Sequence, residues 1–292
     1  MSTIENHDGA SPDLPSEGGT GTAPGSASDP MSTPADADIR LLTTAAEMED
    51  VVWVFQQVWG SVDPLVRIEL LMAISHSGGY VSAAYRTDEG GDERILGASV
   101  AMLARHHGAP ALHSHITGLL PGARRAGLGR AMKLHQQQWA RENGIEWIVW
   151  TYDPLVRRNA WFNLAVLGAE VHDYLESFYG TMTDAINAGD ESDRLLVAWD
   201  VHTAPDAPFR DGDDHPDAER VPTPEDIVAL RRTDPAAALR WRASTRERLE
   251  SAFAAGRRVV GFTRAGEYVL ARPESVAPTD SDTDPGTAPE TG

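Results

Sequence analysis

The consecutive residues Arg124, Arg125, Ala126, Gly127, Leu128 and Gly129 have the types and spacing of a phosphate cradle. Arginines bring fixed positive charge, glycines let backbone approach a phosphate closely, and the N–H groups of a helix start point at it. Two rival loops fail on these residues. A dinucleotide fingerprint needs a third glycine where Met132 stands, and a Walker loop needs Gly-Lys-Ser/Thr, which the chain lacks.

Other side chains nearby can move protons or hold charge. Tyr152 and Asp153 follow the apolar run at residues 147–151. Asp153 can accept a proton from an amine and Tyr152 can donate one. Their structural alternatives are an N-cap for Asp153, which precedes Pro154, and core packing for Tyr152. His113 and His115 share one face of a strand, and an imidazole titrating near about 6.5 suits a base at neutral pH. His115 is therefore a candidate base, with plain packing as its alternative. Arg157 and Arg158 can grip a carboxylate or phosphate with fork geometry, or simply lie solvated at a helix start. The pairs His106-His107 and His113-x-His115 lack an Asp, Glu or His partner at recognisable spacing, so no metal is expected.

These residues need elements to position them. Residues 39–42 read as a short strand, and Thr44 with Glu47 has capping-box spacing ahead of Met48, Val51, Val52, Phe55, Val58 and Trp59, an amphipathic helical set. Asp63-Pro64, Asp153-Pro154 and Asp234-Pro235 each read as a helix start, with Asp as N-cap and Pro at the first helical position. Strands are expected at residues 80–85, 95–103, 112–120, 147–151, 169–174 and 195–199, and helices after the glycine turn to about residue 142 and over residues 157–167. Beyond an acidic linker at residues 205–222, two helices and a hairpin (residues 257–262 and 268–270) form a small unit expected to dock on the main domain of residues 39–204.

The net charge of −19 is concentrated outside these elements. Residues 1–38 carry seven acids and no base, and residues 273–292 carry five acids and no base. Residues 1–37 and 273–292 therefore read as disordered acidic tails. Such a balance disfavours nucleic acid. No apolar run spans a bilayer, no secretory signal is evident, and the absence of cysteine removes disulfides and thiolate nucleophiles, so a cytoplasmic protein is expected. Lys133 is the single lysine beside 24 arginines, which reads as a compositional bias.

The element order and local residues together resemble the GNAT superfamily of N-acetyltransferases. More closely, the chain resembles a branch of predicted GNAT acyltransferases carrying S-H-[I/M]-x-G-[L/V]-x-P, W-T-[Y/F]-D-P-L-x-x-R-N-A-x-F-N and S-D-R-[L/F]-x-V-x-W, here residues 114–121, 150–163 and 192–199. The resemblance covers about residues 39–270. It implies an α/β fold with a mixed, mostly antiparallel central sheet flanked by helices, and a C-terminal helix-plus-hairpin extension. It implies a V-shaped opening between the fourth and fifth strands, with Thr117, Gly118 and Leu119 holding pantetheine. Arg124, Arg125, Ala126, Gly127, Leu128, Gly129 and Arg130 would wrap the pyrophosphate of acetyl-CoA or another acyl-CoA, and Asn159 would bond pantetheine. A small-molecule amine would be the acceptor, with a homodimer as one option for the assembly and no membrane partner expected. The family's tyrosine acid falls on Leu164, so the usual proton donor is missing.

Overall fold

A computed structural model of the chain describes residues 37–123, 127–180, 190–207, 209–212, 215 and 218–272. A seven-stranded sheet forms its centre, in the order β1-β2-β3-β4-β5-β7-β6. Its strands are β1 (Ala37–Leu41), β2 (Tyr80–Thr87), β3 (Glu93–His106), β4 (Ala109–Leu119), β5 (Trp147–Tyr152), β6 (Glu170–Leu175) and β7 (Arg194–Asp200). Every neighbouring pair is antiparallel except β4–β5. The fold is thus the expected α/β type with a mostly antiparallel central sheet. β1 starts ahead of the expected Ile39, and residues 1–36 and 273–292 lie outside the described residues.

One sheet face is covered by α1 (Ala45–Trp59) and α2 (Ile68–His76). The Thr44 capping box forms: Glu47 N–H donates to Thr44 Oγ1 and Thr44 N–H donates to Glu47 Oε2 at 2.9 Å. Met48, Val51, Val54, Phe55, Val58 and Trp59 then pack on Val81, Ala83, Val100 and Ile116. The Asp63-Pro64 pair does not start α2, whose N-cap is Arg67. Ser61 Oγ donates to the Asp63 carbonyl at 2.6 Å, holding that pair in a turn.

The opposite face is covered by α3 (Leu128–Glu142) and by the segment after β5. The helix expected over residues 157–167 is in two parts, α4 (Arg157–Ala160) and a π-helical stretch, Trp161–Val166. α4 begins after Val156, so the Asp153-Pro154 pair does not cap it. Asp153 Oδ1 instead accepts from Leu155 N–H at 2.9 Å in a local turn.

A second sheet, β8-β10-β9, is built from β8 (Glu219–Pro222), β9 (Arg258–Phe262) and β10 (Glu267–Ala271), with α5 (Ile227–Thr233) and α6 (Pro235–Ala254) beside it. The expected hairpin therefore gains a third strand from the end of the acidic linker. Asp234 does cap its helix, accepting from Ala237 N–H at 2.9 Å with Pro235 in the first turn. Val221, Leu249, Phe262, Tyr268 and Leu270 of this unit share one apolar core with Trp150, Tyr152, Leu195 and Trp199 of the main sheet.

A buried ion network closes that junction. Arg242 grips Asp153 with two bonds, 2.8 and 3.0 Å, and reaches Asp190 at 2.8 Å. Arg231 contacts Asp153 at 2.5 Å and Asp190 at 2.9 Å. All four side chains are at most 7% exposed. Among the described residues of the chain no helix is long and apolar enough to cross a membrane.

Removing one member of a buried ion pair leaves an uncompensated charge, at a cost of about 3–5 kcal/mol. Arg242→Ala is accordingly expected to lower unfolding stability by about that amount in urea titration. The two arginines hold the Asp153 carboxyl well below its usual range despite burial. Its contribution is thus complete above the unfolded carboxyl value of about 3.9 and is lost as pH falls below it, so the effect of Arg242→Ala shrinks in acid.

Candidate active site

The geometry of the site begins with β4 and β5, the parallel pair of the central sheet. β4 and β5 pair over Ala111–Trp147, Leu112–Ile148 and His113–Val149, and then part. β4 continues to Leu119 on β3, while β5 continues to Tyr152 on β7. The two strands are held on their outer sides and diverge on their inner sides, which opens a wedge above His113 and Val149. β4 also carries a bulge: Val100 faces Ile116 and Ala101 faces Ser114, leaving His115 as the extra residue.

Beyond β4 the chain turns into α3. Gly127, its N-cap, sits at φ +72°, a left-handed conformation that glycine adopts without penalty. Gly127 has no side chain with which to cap α3, and a helix start of this kind suits an anionic acceptor. Leu128 is buried against Leu119, Ala123 and Met132, which fixes the helix start beside the end of β4. Arg124, Arg125 and Ala126 lie outside the described residues.

The remaining expected cradle residues divide in two. Thr117 is buried with its hydroxyl 2.8 Å from Ser99 Oγ, and Leu119 packs under α3. Gly118 faces α1, where an added Cβ would lie 2.7 Å from Trp59 Cζ3. Gly129 stands in the first turn of α3, but the Arg130 guanidinium turns away to the Pro205 carbonyl. Asn159 is 3% exposed, and its Nδ2 has no partner among the described residues. An orphaned buried amide of this kind fits a ligand acceptor, because an unmet buried donor otherwise costs about 1–3 kcal/mol. These features fit a pantetheine-bearing cofactor.

The candidate catalytic residues Tyr152, Asp153 and His115 are all drawn inward, the first two buried and His115 half-buried. Tyr152 is fully buried under the C-terminal unit, its hydroxyl 3.4 Å from that of Tyr268, which donates to the Pro154 carbonyl at 2.7 Å. Burial pushes the Tyr152 phenol upward. Asp153 is committed to Arg231 and Arg242, and its lowered carboxyl pKa makes it a poor proton acceptor. His115 remains beside the wedge, but burial lowers it to about 4, leaving a neutral ring and a weak base. Arg157 is tied to Thr223, with Nε 3.3 Å from Oγ1 and Nη2 2.5 Å from the carbonyl. It serves the junction, while Arg158 lines a surface pocket of about 540 Å³ with Trp161, Ile227, Thr263 and Arg264. Leu164 is packed in the core and offers no proton.

Lys133 is the functional candidate that spacing did not single out. Its side chain extends from α3 to the point where the strands part: Nζ donates to Ser114 Oγ at 2.9 Å and Gln136 Oε1 at 3.1 Å, and lies 4.1 Å from the Trp150 ring centre. Ser114 and Trp150 are the residues immediately beyond the last β4–β5 pair. The residue is 4% exposed and burial lowers its amine to about 7. The sequence signal was its uniqueness, which without burial reads only as composition.

No family model and no curated protein matches the sequence. Among solved structures, the ribosomal-protein-S5-alanine acetyltransferase of Vibrio fischeri is 15% identical with a TM-score of 0.45, covering 57% of this chain and 94% of its own. A GNAT superfamily phosphinothricin acetyltransferase of Sinorhizobium meliloti, solved with AcCoA, is 17% identical at 0.44, covering 56% and 88%. The ribosomal-protein-alanine N-acetyltransferase of Brucella melitensis is 19% identical at 0.43, covering 56% and 98%. Likenesses at this level leave donor and acceptor undetermined.

The Lys133 environment has a measurable signature. An unfolded lysine titrates near about 10.4. Between that value and the folded value of about 7, the unfolded chain binds more protons, so stability rises with pH. Relative to Lys133→Met, the parent protein is expected to gain stability from pH 7 to about 10, on the order of a few kcal/mol. Chemical denaturation across that range checks it; a difference independent of pH contradicts it.

Proposed function

We propose that this protein is an acyl-CoA-dependent N-acyltransferase, with acetyl-CoA as donor and the amine of a small molecule, such as an amino acid or derivative, as acceptor. The observation that carries the reading is the wedge between β4 and β5, which stands beside a helix start whose N-cap, Gly127, carries no side chain. The orphaned Asn159 amide adds an unmet donor on α4, just beyond β5. Thr117, Gly118 and Leu119 would hold the pantetheine arm, Gly127 to Arg130 the pyrophosphate through backbone N–H groups, and Asn159 a pantetheine carbonyl.

An acyl-thioester supplies an activated carbonyl, at which an amine nitrogen replaces sulfur to give an amide and a free thiol. The chain has to orient that carbonyl, exclude water and manage one proton. Lys133 Nζ is assigned the proton. It loses and regains one near neutrality, lies at the apex of the wedge, and replaces the donor that Leu164 cannot provide. The acceptor carboxylate is assigned to Arg158, which lines the surface pocket with Trp161 and Arg264. A non-catalytic acyl-CoA-binding module is the alternative, favoured by Leu164 at the family's acid position.

Because the chain has no cysteine, thiol release can be followed with a thiol reagent free of background from the protein. Acetyl-CoA with a panel of amines is expected to release thiol. Acetyl-CoA binding without release across the panel would favour the binding module, and no binding would reject both. Asn159→Leu is expected to weaken acetyl-CoA binding about tenfold, the worth of one hydrogen bond. It should leave the melting temperature unchanged or raised, since it removes an unmet buried donor. Unchanged affinity in calorimetry would count against the assignment.

A further inference from the structure

Three imidazoles meet at the end of the sheet away from the wedge. His106 and His107 sit at the β3–β4 turn and His172 on β6, 65 residues beyond His107. The ring centres of His106 lie 4.2 Å from His107 and 4.7 Å from His172, and those of His107 and His172 lie 5.5 Å apart. One nitrogen from each ring falls within 4.8 Å of the others. Sequence spacing showed only the His106-His107 pair; the third ring arrives through the fold, because β6 carries a bulge between Val171 and Asp173 that contains His172.

Two details point to a ligand between them. His107 Nε2 and His172 Nδ1 stand 3.4 Å apart. Two imidazole nitrogens bound to one tetrahedral ion at about 2.1 Å are separated by roughly the same distance. His106 is 8% exposed, and its Nε2 has no partner among the described residues. A buried ring nitrogen with no hydrogen bond is uncommon and calls for an acceptor or an ion. Glu170, an acid on β6 that acts electrostatically on His172, is paired with Arg210 at 3.3 Å.

We propose that His106, His107 and His172 form a binding site for a divalent late transition-metal ion, with Zn²⁺ as its representative. Three neutral imidazoles suit Zn²⁺, Ni²⁺ or Cu²⁺ rather than Mg²⁺ or Ca²⁺, which require oxygen ligands. The fourth position would be taken by water. His107 and His172 are exposed, so their rings can turn to close the coordination sphere around the fixed His106. The site lies apart from Lys133 and the wedge, and the ion would tie the β3–β4 turn to the edge strand β6 across β5 and β7. Its role is therefore a structural clip, independent of the acyltransferase reading.

Isothermal titration of the full-length protein, stripped with chelator and dialysed, tests the site with Zn²⁺ alone. One saturable site with a micromolar or tighter dissociation constant is expected, together with a raised melting temperature. His172→Ala, at an exposed position, should weaken binding at least tenfold. His113→Ala/His115→Ala, at the other histidine pair, should leave it intact. Absence of saturable binding below 100 µM, or full affinity in His172→Ala, would overturn the proposal.

Discussion

The site depends on a parallel pair that is too short. Three residue pairs join β4 to β5, and beyond them each strand follows its other neighbour. Right-handed twist alone rotates adjacent strands by about 20–25°, and the His115 bulge adds to it on β4. The ladder between the two strands therefore ends at His113 and Val149, where the wedge begins. α3 starts beside its β4 side because Leu128 is locked under Leu119, and Lys133, about one turn and a half along the helix, reaches the apex.

A second constraint acts on the far side of β5. The segment that leaves the strand carries Asp153, whose carboxylate is fixed by two arginines from α5 and α6. Nearby, Asp193 is held by Tyr174 at 2.6 Å and by Arg246 of α6 at 2.7 Å. The acids of the two sequence motifs thus join the C-terminal unit to the sheet. Such buried charges add little net stability over an apolar junction, yet they specify one geometry. That geometry orients β5, α4 and Asn159, so the small unit supports one wall of the wedge.

Much of the fold was legible locally. The Thr44 capping box, the glycine-started α3 and the strands of the central sheet follow from periodicity and turn chemistry. The Asp-Pro pairs show where that logic ends. At Asp234 the exposed side chain lies 3.9 Å from Arg240 and caps α6, whereas Asp153 meets arginines 78 and 89 residues away that its local spacing cannot reveal. Tyr152 was displaced from a catalytic role for the same reason, since Tyr268 covers it from the C-terminal sheet. Lys133 reads only as composition in the sequence because a lysine's chemistry depends on burial, and burial is a tertiary property.

The proposed function requires that the wedge and the start of α3 hold one acyl-CoA molecule. Amide chemical shifts in the full-length protein, recorded while acetyl-CoA is titrated in, test this directly. The largest changes are expected on Thr117, Gly118, Gly127, Leu128 and Gly129, with the Asn159 side-chain amide shifting alongside them. Saturable changes confined to other surfaces, or none at millimolar acetyl-CoA, would contradict it.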